Sequence, residues 1–155
     1  MRILPFVAAL AMVCIVQSVA TPAAAAEFAT KEEAVALVHQ AIARVAEVGM
    51  PTAQPEFMDH SGKFIDRDLY LIIIDKAGLR VVHGQNPKLV GMTYYDAIDV
   101  TGKEYGKEVQ QIAEGPGKGW FSFTFKDPIT GKLLPKENYV ERAGDYTYLA
   151  GVYTR

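Results

Sequence analysis

Lys136, Tyr139, His83 and Trp120 are the residues of this chain whose types and spacing invite chemistry, with Tyr70 and Tyr94 beside them. A pocket for a small carboxylate needs a cation, several hydrogen-bond donors and an apolar wall that keeps water out. Lys136 is the candidate cation. It lies on a predicted strand three residues before Tyr139, an offset that puts the two side chains on opposite faces unless the strand is bulged or twisted there. A plain surface lysine is the competing reading. His83 closes another predicted strand and can donate or accept at a pocket rim; a structural or solvated histidine competes with that role. Trp120 can wall a pocket and donate from its indole nitrogen, or simply pack in the core. Tyr70, Tyr94, Tyr139, Tyr148 and Tyr153 are candidate hydroxyl donors, some of which must be core residues with a satisfied tip.

Other chemistries find less support. Ser61, Ser122, His39, His60 and His83 supply triad parts, but no G-x-S-x-G elbow carries them. The histidines lack short ligand spacing and no H-E-x-x-H occurs, so no metal site is expected. Asp59, His60, Asp66 and Asp68 lack the calcium-loop pattern and read as a solvated loop. Gly115, Gly117 and Gly119 follow a helix and precede a strand, the reverse of a phosphate cradle. No cofactor is expected. The net charge of −2 becomes one unit more negative without Arg2, which argues against nucleic acid and against attachment to anionic lipid.

The elements that must position these residues begin with a helix. Thr30 and Glu33 have capping-box spacing. Ala34, Leu37, Val38, Ala41, Ile42, Val45 and Ala46 then recur at helical intervals until Gly49 and Pro51. Residues 51–67 read as loop. Residues 69–75, apolar on both faces, read as a central strand, and residues 79–83 return as a second across a turn at Gly78. In the loop 84–91, Pro87 fixes φ and Gly91 allows a sharp exit. This loop is the expected lid or rim, with Asn86 bonding locally to backbone. A short helical turn is expected within residues 92–98 and a second helix over 102–114. Residues 120–126 alternate, with Phe121, Phe123 and Phe125 on one face and Trp120, Ser122 and Thr124 on the other. Residues 135–142 and 146–154 complete the strands. Short turns make the pairings antiparallel, and the order of elements implies an α+β fold with helices on one face of the sheet.

Residues 1–26 read as a secretory signal peptide: Arg2, an apolar run over 3–19, and a small-residue exit ending at Ala26. An uncleaved anchor is the alternative. No later run approaches the roughly 20 apolar residues of a spanning helix, and no output domain is recognised, so a released single domain over residues 27–155 is expected. The one cysteine, Cys14, lies in the leader. The mature domain then has neither a disulfide nor a thiolate metal site, which suits a bacterial periplasm.

Several segments together resemble a known family. They are the stretch 68–75, Gly78, Val82-His83-Gly84, the loop 86–91, Gly119-Trp120, the turn 128–131, the segment 135–140 and the closing Gly151-Val152-Tyr153. In this order they resemble a single Cache domain of the periplasmic sensor type, over residues 30–155. The resemblance implies a long N-terminal helix and a PAS-like five-stranded antiparallel sheet. It also implies a small-molecule pocket between the sheet and the segment crossing it, with small organic acids or amino acids as ligands. A parallel homodimer through the first helix is a further implication. The expectation is a periplasmic binding module without an output domain of its own. An accessory subunit that docks on a membrane sensor or transporter is the alternative.

Overall fold

The computed structural model describes residues 27–155; the leader expected over residues 1–26 lies outside them. In chain order the elements are α1 (Lys31–Val48), α2 (Met50–Phe57), β1 (Ile72–Asp75), β2 (Arg80–His83), a 3₁₀ turn (Pro87–Leu89), α3 (Tyr105–Glu114), β3 (Lys118–Lys126), β4 (Leu133–Ala143) and β5 (Tyr146–Tyr153). The strands form one sheet in the order β2-β1-β5-β4-β3, with every neighbouring pair antiparallel. The fold is therefore the α+β, PAS-like five-stranded arrangement expected.

Thr30 starts α1 with a complete capping box. Its hydroxyl accepts from the Glu33 N–H at 3.2 Å, and its own N–H donates to the Glu33 carboxylate at 2.7 Å. Gly49, at φ +78°, ends the helix. The chain then turns into α2 rather than the loop expected from residue 51. Pro51 stands in the first turn of α2, where a missing N–H costs nothing. The short helix forms because Met50, Ala53 and Phe57 all find the core.

Helices cover both faces of the sheet, not one. On the first face, α1 and α2 pack Ala34, Leu37, Val38, Ala41, Ala53 and Phe57 onto Leu71, Ile73, Val82, Tyr148 and Ala150. On the second, α3 and the segment before it pack Tyr94, Tyr105 and Val109 onto Ile72, Ile74, Phe121, Phe123, Val140 and Leu149. The reason is visible in β1, which is apolar on both sides and therefore needs cover on both.

Within residues 92–98, where a short helical turn is expected, the segment leading to α3 makes one hydrogen-bonded turn, Ala97 N–H to Tyr94 O at 2.9 Å, and no helix. Just before that turn, residues 91–93 lie along the outer edge of β2, with Arg80 N–H to Met92 O at 3.0 Å and Gly91 N–H to Arg80 O at 2.8 Å. An edge strand is left with unpaired backbone groups, and this segment pairs them. Gly106 then lets α3 lie against it: a Cβ there would stand 2.2 Å from the Tyr94 carbonyl oxygen.

Candidate functional site

Alternation along β4 decides which side chains share the second face. Lys136, Asn138 and Val140 point to it, while Glu137, Tyr139 and Glu141 point toward α1. Lys136 is paired across the sheet with Phe123 on β3 and Tyr153 on β5. Its side chain is only 1% exposed. The ammonium Nζ lies 3.9 Å from the Tyr70 ring centroid and 4.8 Å from that of Tyr153. Among the described residues no carboxylate pairs with it. An aromatic face attracts a cation, yet it does not neutralise it, and a buried charge without a counter-ion is costly.

His83 stands beside this lysine, its ring 5.4 Å from that of Tyr70. Burial, followed by the positive charges of Lys136 and Arg80, lowers its pKa to about 3. The imidazole is thus neutral at ordinary pH. Its Nδ1 accepts the Asn86 N–H at 3.1 Å, so the proton of the neutral ring sits on Nε2. Burial also pushes the Tyr70 hydroxyl up to about 12, with the Lys136 charge acting against it. The Tyr70 and Tyr153 hydroxyls lie 3.4 Å apart, and Tyr153 donates to the Lys126 carbonyl at 2.9 Å.

Two hollows open beside these groups: His83 lines both and Tyr70 lines the larger, while Lys136 and Tyr153 lie behind Tyr70. A cleft of about 590 Å³ is lined by Tyr70, His83, Gln85, Asn86, Phe125 and the hairpin 126–131. A smaller cavity of about 120 Å³ is walled by Arg80, His83, Tyr94, Tyr105 and Phe123, with Phe125 common to both. The loop after β2 is a rim of the cleft, and Asn86 does bond locally, its Oδ1 accepting the Lys88 N–H at 3.2 Å. A cation, a neutral imidazole donor and tyrosine hydroxyls around a partly aromatic hollow can hold a small anion. They provide no nucleophile paired with a base.

Of the six residues singled out from sequence, Tyr70, His83 and Lys136 come together here, and Tyr94 walls the smaller cavity. Trp120 and Tyr139 do not join them. They are register partners on the α1 face, with ring centroids 5.4 Å apart. Trp120 is 37% exposed beneath the Lys31 ammonium. Tyr139 donates to Glu141 at 2.6 Å. The strand is regular at this point, so the offset of three keeps Tyr139 away from Lys136.

One residue of the site, and one buried polar residue on the same face of β4 as Lys136, escaped the sequence reading. Arg80 lies two positions before Val82, which faces α2, so plain alternation puts it on the wrong side. A bulge in the β1–β2 pairing, where Ile73 opposes Val82 but Ile74 opposes Arg80, turns Arg80 to the same face as His83. Asn138 is fully buried, and among the described residues neither its amide nitrogen nor its amide oxygen has a partner. It fits only because Gly151 opposes it: a Cβ at residue 151 would lie 1.9 Å from the Asn138 Oδ1. Its signal was a polar residue midway between two inward positions, Lys136 and Val140.

Comparison with known proteins agrees with this fold. The family model for single Cache domain 2 matches residues 9–152. A methyl-accepting chemotaxis protein from Vibrio parahaemolyticus RIMD 2210633 superimposes with a TM-score of 0.67 at 21% identity, covering 79% of this chain and 87% of its own. A Cache chemosensory domain, solved for the structural basis of its carboxylic acid recognition, gives 0.67 at 20% identity, with 80% and 92% covered. The periplasmic sensor domain of a chemotaxis protein gives 0.61 at 22% identity, with 80% and 90% covered. No curated protein matches. Among the described residues no helix is long and apolar enough to cross a membrane. The family match spans nearly the whole chain, and this protein belongs to the single Cache domain 2 family.

Proposed function

We propose that this domain is a periplasmic sensing module that binds a small organic acid, with the carboxylate seated against Lys136. One observation carries the reading: a lysine ammonium is buried against the ring of Tyr70, itself a wall of the cleft, with no acid among the described residues to balance it. A ligand carboxylate would neutralise that charge, accept from His83 Nε2–H, and lie against the tyrosine rings. Charge-assisted hydrogen bonds of this kind contribute roughly 1.5–3 kcal/mol each. The fold shared with a domain that recognises carboxylic acids supports the same class of ligand. On this reading residues 1–26 direct the chain to the periplasm, and occupancy of the cleft is the signal passed to a membrane partner. The module binds its ligand without transforming it.

Thermal melting against a panel of small acids, amino acids and amines tests the reading. A ligand present at 100 times its dissociation constant should add about 2.7 kcal/mol of stability. Carboxylates are expected to shift the melt and amines are not. Calorimetric titration of Lys136→Met should then show affinity for the best acid reduced tenfold or more, about 1.4 kcal/mol. A panel without a carboxylate hit, or unchanged affinity in the variant, contradicts the proposal.

A further inference from the structure

The charge balance of the second face goes beyond a single carboxylate. Arg80 is only 7% exposed. Its Nη1 donates to the Thr93 carbonyl at 2.6 Å and the Met92 carbonyl at 3.4 Å, and the guanidinium lies 4.6 Å from the Tyr94 ring centroid. Backbone carbonyls and a ring hold it in place, but among the described residues no carboxylate pairs with it. Lys136 is in the same condition. Two buried cations therefore flank one neutral histidine. Arg80 lines the smaller cavity with His83, and Lys136 lies against the ring of Tyr70, which lines the larger cleft with His83.

The smaller cavity holds a second incomplete group. The Tyr94 hydroxyl is buried with no hydrogen-bond partner among the described residues. An unpaired buried hydroxyl is costly, as is a guanidinium whose only acceptors are neutral. The bulge in the β1–β2 pairing aims Arg80 here, and bulges recur where a strand must re-aim a side chain toward a site. A monocarboxylate on Lys136 would leave Arg80 unbalanced and the Tyr94 hydroxyl unmet.

We infer that the ligand is a short dicarboxylate, one carboxylate on Lys136 and the other on Arg80 with the Tyr94 hydroxyl, the chain between them passing His83 and Phe125. The inference rests on the carboxylate reading above and narrows it. Arg80 would be the residue that separates diacids from monoacids. A guanidinium suits that task because its planar fork presents paired donors to a carboxylate.

The test is calorimetric titration of the purified protein with malonate, succinate and glutarate, each against the monocarboxylate of equal carbon number, and with the monoamide of the best diacid. The best diacid is expected to bind at least tenfold more tightly than its equal-length monoacid and than its monoamide. This comparison needs no variant. In Arg80→Gln, checked for folding by its melting transition, the diacid should lose tenfold or more while the monoacid changes less than threefold. Lys136→Met should weaken both. If a monoacid binds as well as its diacid, the dicarboxylate inference fails and the carboxylate reading stands. If no acid of either kind binds, both fail.

Discussion

Replacing Lys136 with methionine keeps most of the side-chain length and removes its charge. A buried ion without a partner opposes folding, and an apolar side chain of similar volume in its place is often neutral or stabilising. Lys136→Met is therefore expected to melt at the same temperature as the native protein or higher when no acid is present, while losing the rise in melting temperature that an acid produces. A large drop in the ligand-free melt would mean that the ammonium contributes to packing rather than to binding. His83 makes a second prediction. Its folded pKa, about 3, lies below the 6.5 of a free histidine. Below pH 6.5 the unfolded chain takes up a proton that the folded chain refuses, so stability falls as pH drops from about 6.5 toward 3. Glu33 and Asp127 are held below the usual carboxylate range. Hydrogen bonds from Arg67 and the Thr30 N–H lower Glu33; at Asp127, bonds from the Thr130 hydroxyl, the Ile129 N–H and Arg155 outweigh burial. Their contributions are lost only at lower pH, near and below 4. Urea unfolding at pH 7 and pH 5 should show the loss in the native protein and a smaller one in His83→Gln.

At the scale of elements, two substitutions separate local from tertiary support. Thr30→Ala removes the cap of α1 and is expected to cost about 1 kcal/mol in urea unfolding. Gly151→Ala should cost more, because its Cβ would meet the Asn138 amide and the Glu137 carbonyl oxygen at 1.9 and 2.2 Å and two paired strands would have to part. Strand alternation made most of this layer legible in sequence. The inward row of Phe121 and Phe123, the start of α1 at Thr30 and the turn at Gly78 all follow from period and turn residues. What stayed hidden depends on tertiary contact. The helix at Met50–Phe57 is too short to show a period and forms because its apolar residues reach the core. The bulge that brings Arg80 beside His83 leaves no mark in a four-residue strand. Tyr139 and Trp120 were drawn toward the site by their residue types, while the regular strand had already placed them on the other face.

At the scale of the whole molecule, the last residue ties the domain together. Arg155 donates to Asp68 at 2.7 Å and to Asp127 at 2.8 Å, and its guanidinium lies 3.7 Å from the Phe28 ring centroid. Asp68 also accepts the Ala29 N–H at 2.9 Å. One guanidinium thus joins both ends of the described chain to the hairpin at 126–131, which is a wall of the cleft. Arg155→Gln would leave two buried carboxylates without their cation, and urea unfolding should show a loss of about 3 kcal/mol. The single antiparallel sheet was legible in the sequence, but this strap was not, because its members are far apart in the chain. Cover on both faces of the sheet was signalled by the strand at residues 69–75, apolar on both sides, although the order of elements implied helices on one face only. The most direct test of a carboxylate-binding cleft is a crystal structure of the protein with its tightest-binding acid. The expected result is a carboxylate within hydrogen-bond distance of Lys136 Nζ, with His83 Nε2 donating to the same ligand. An acid bound elsewhere, with Lys136 still resting on the Tyr70 ring and no anion beside it, would contradict the account.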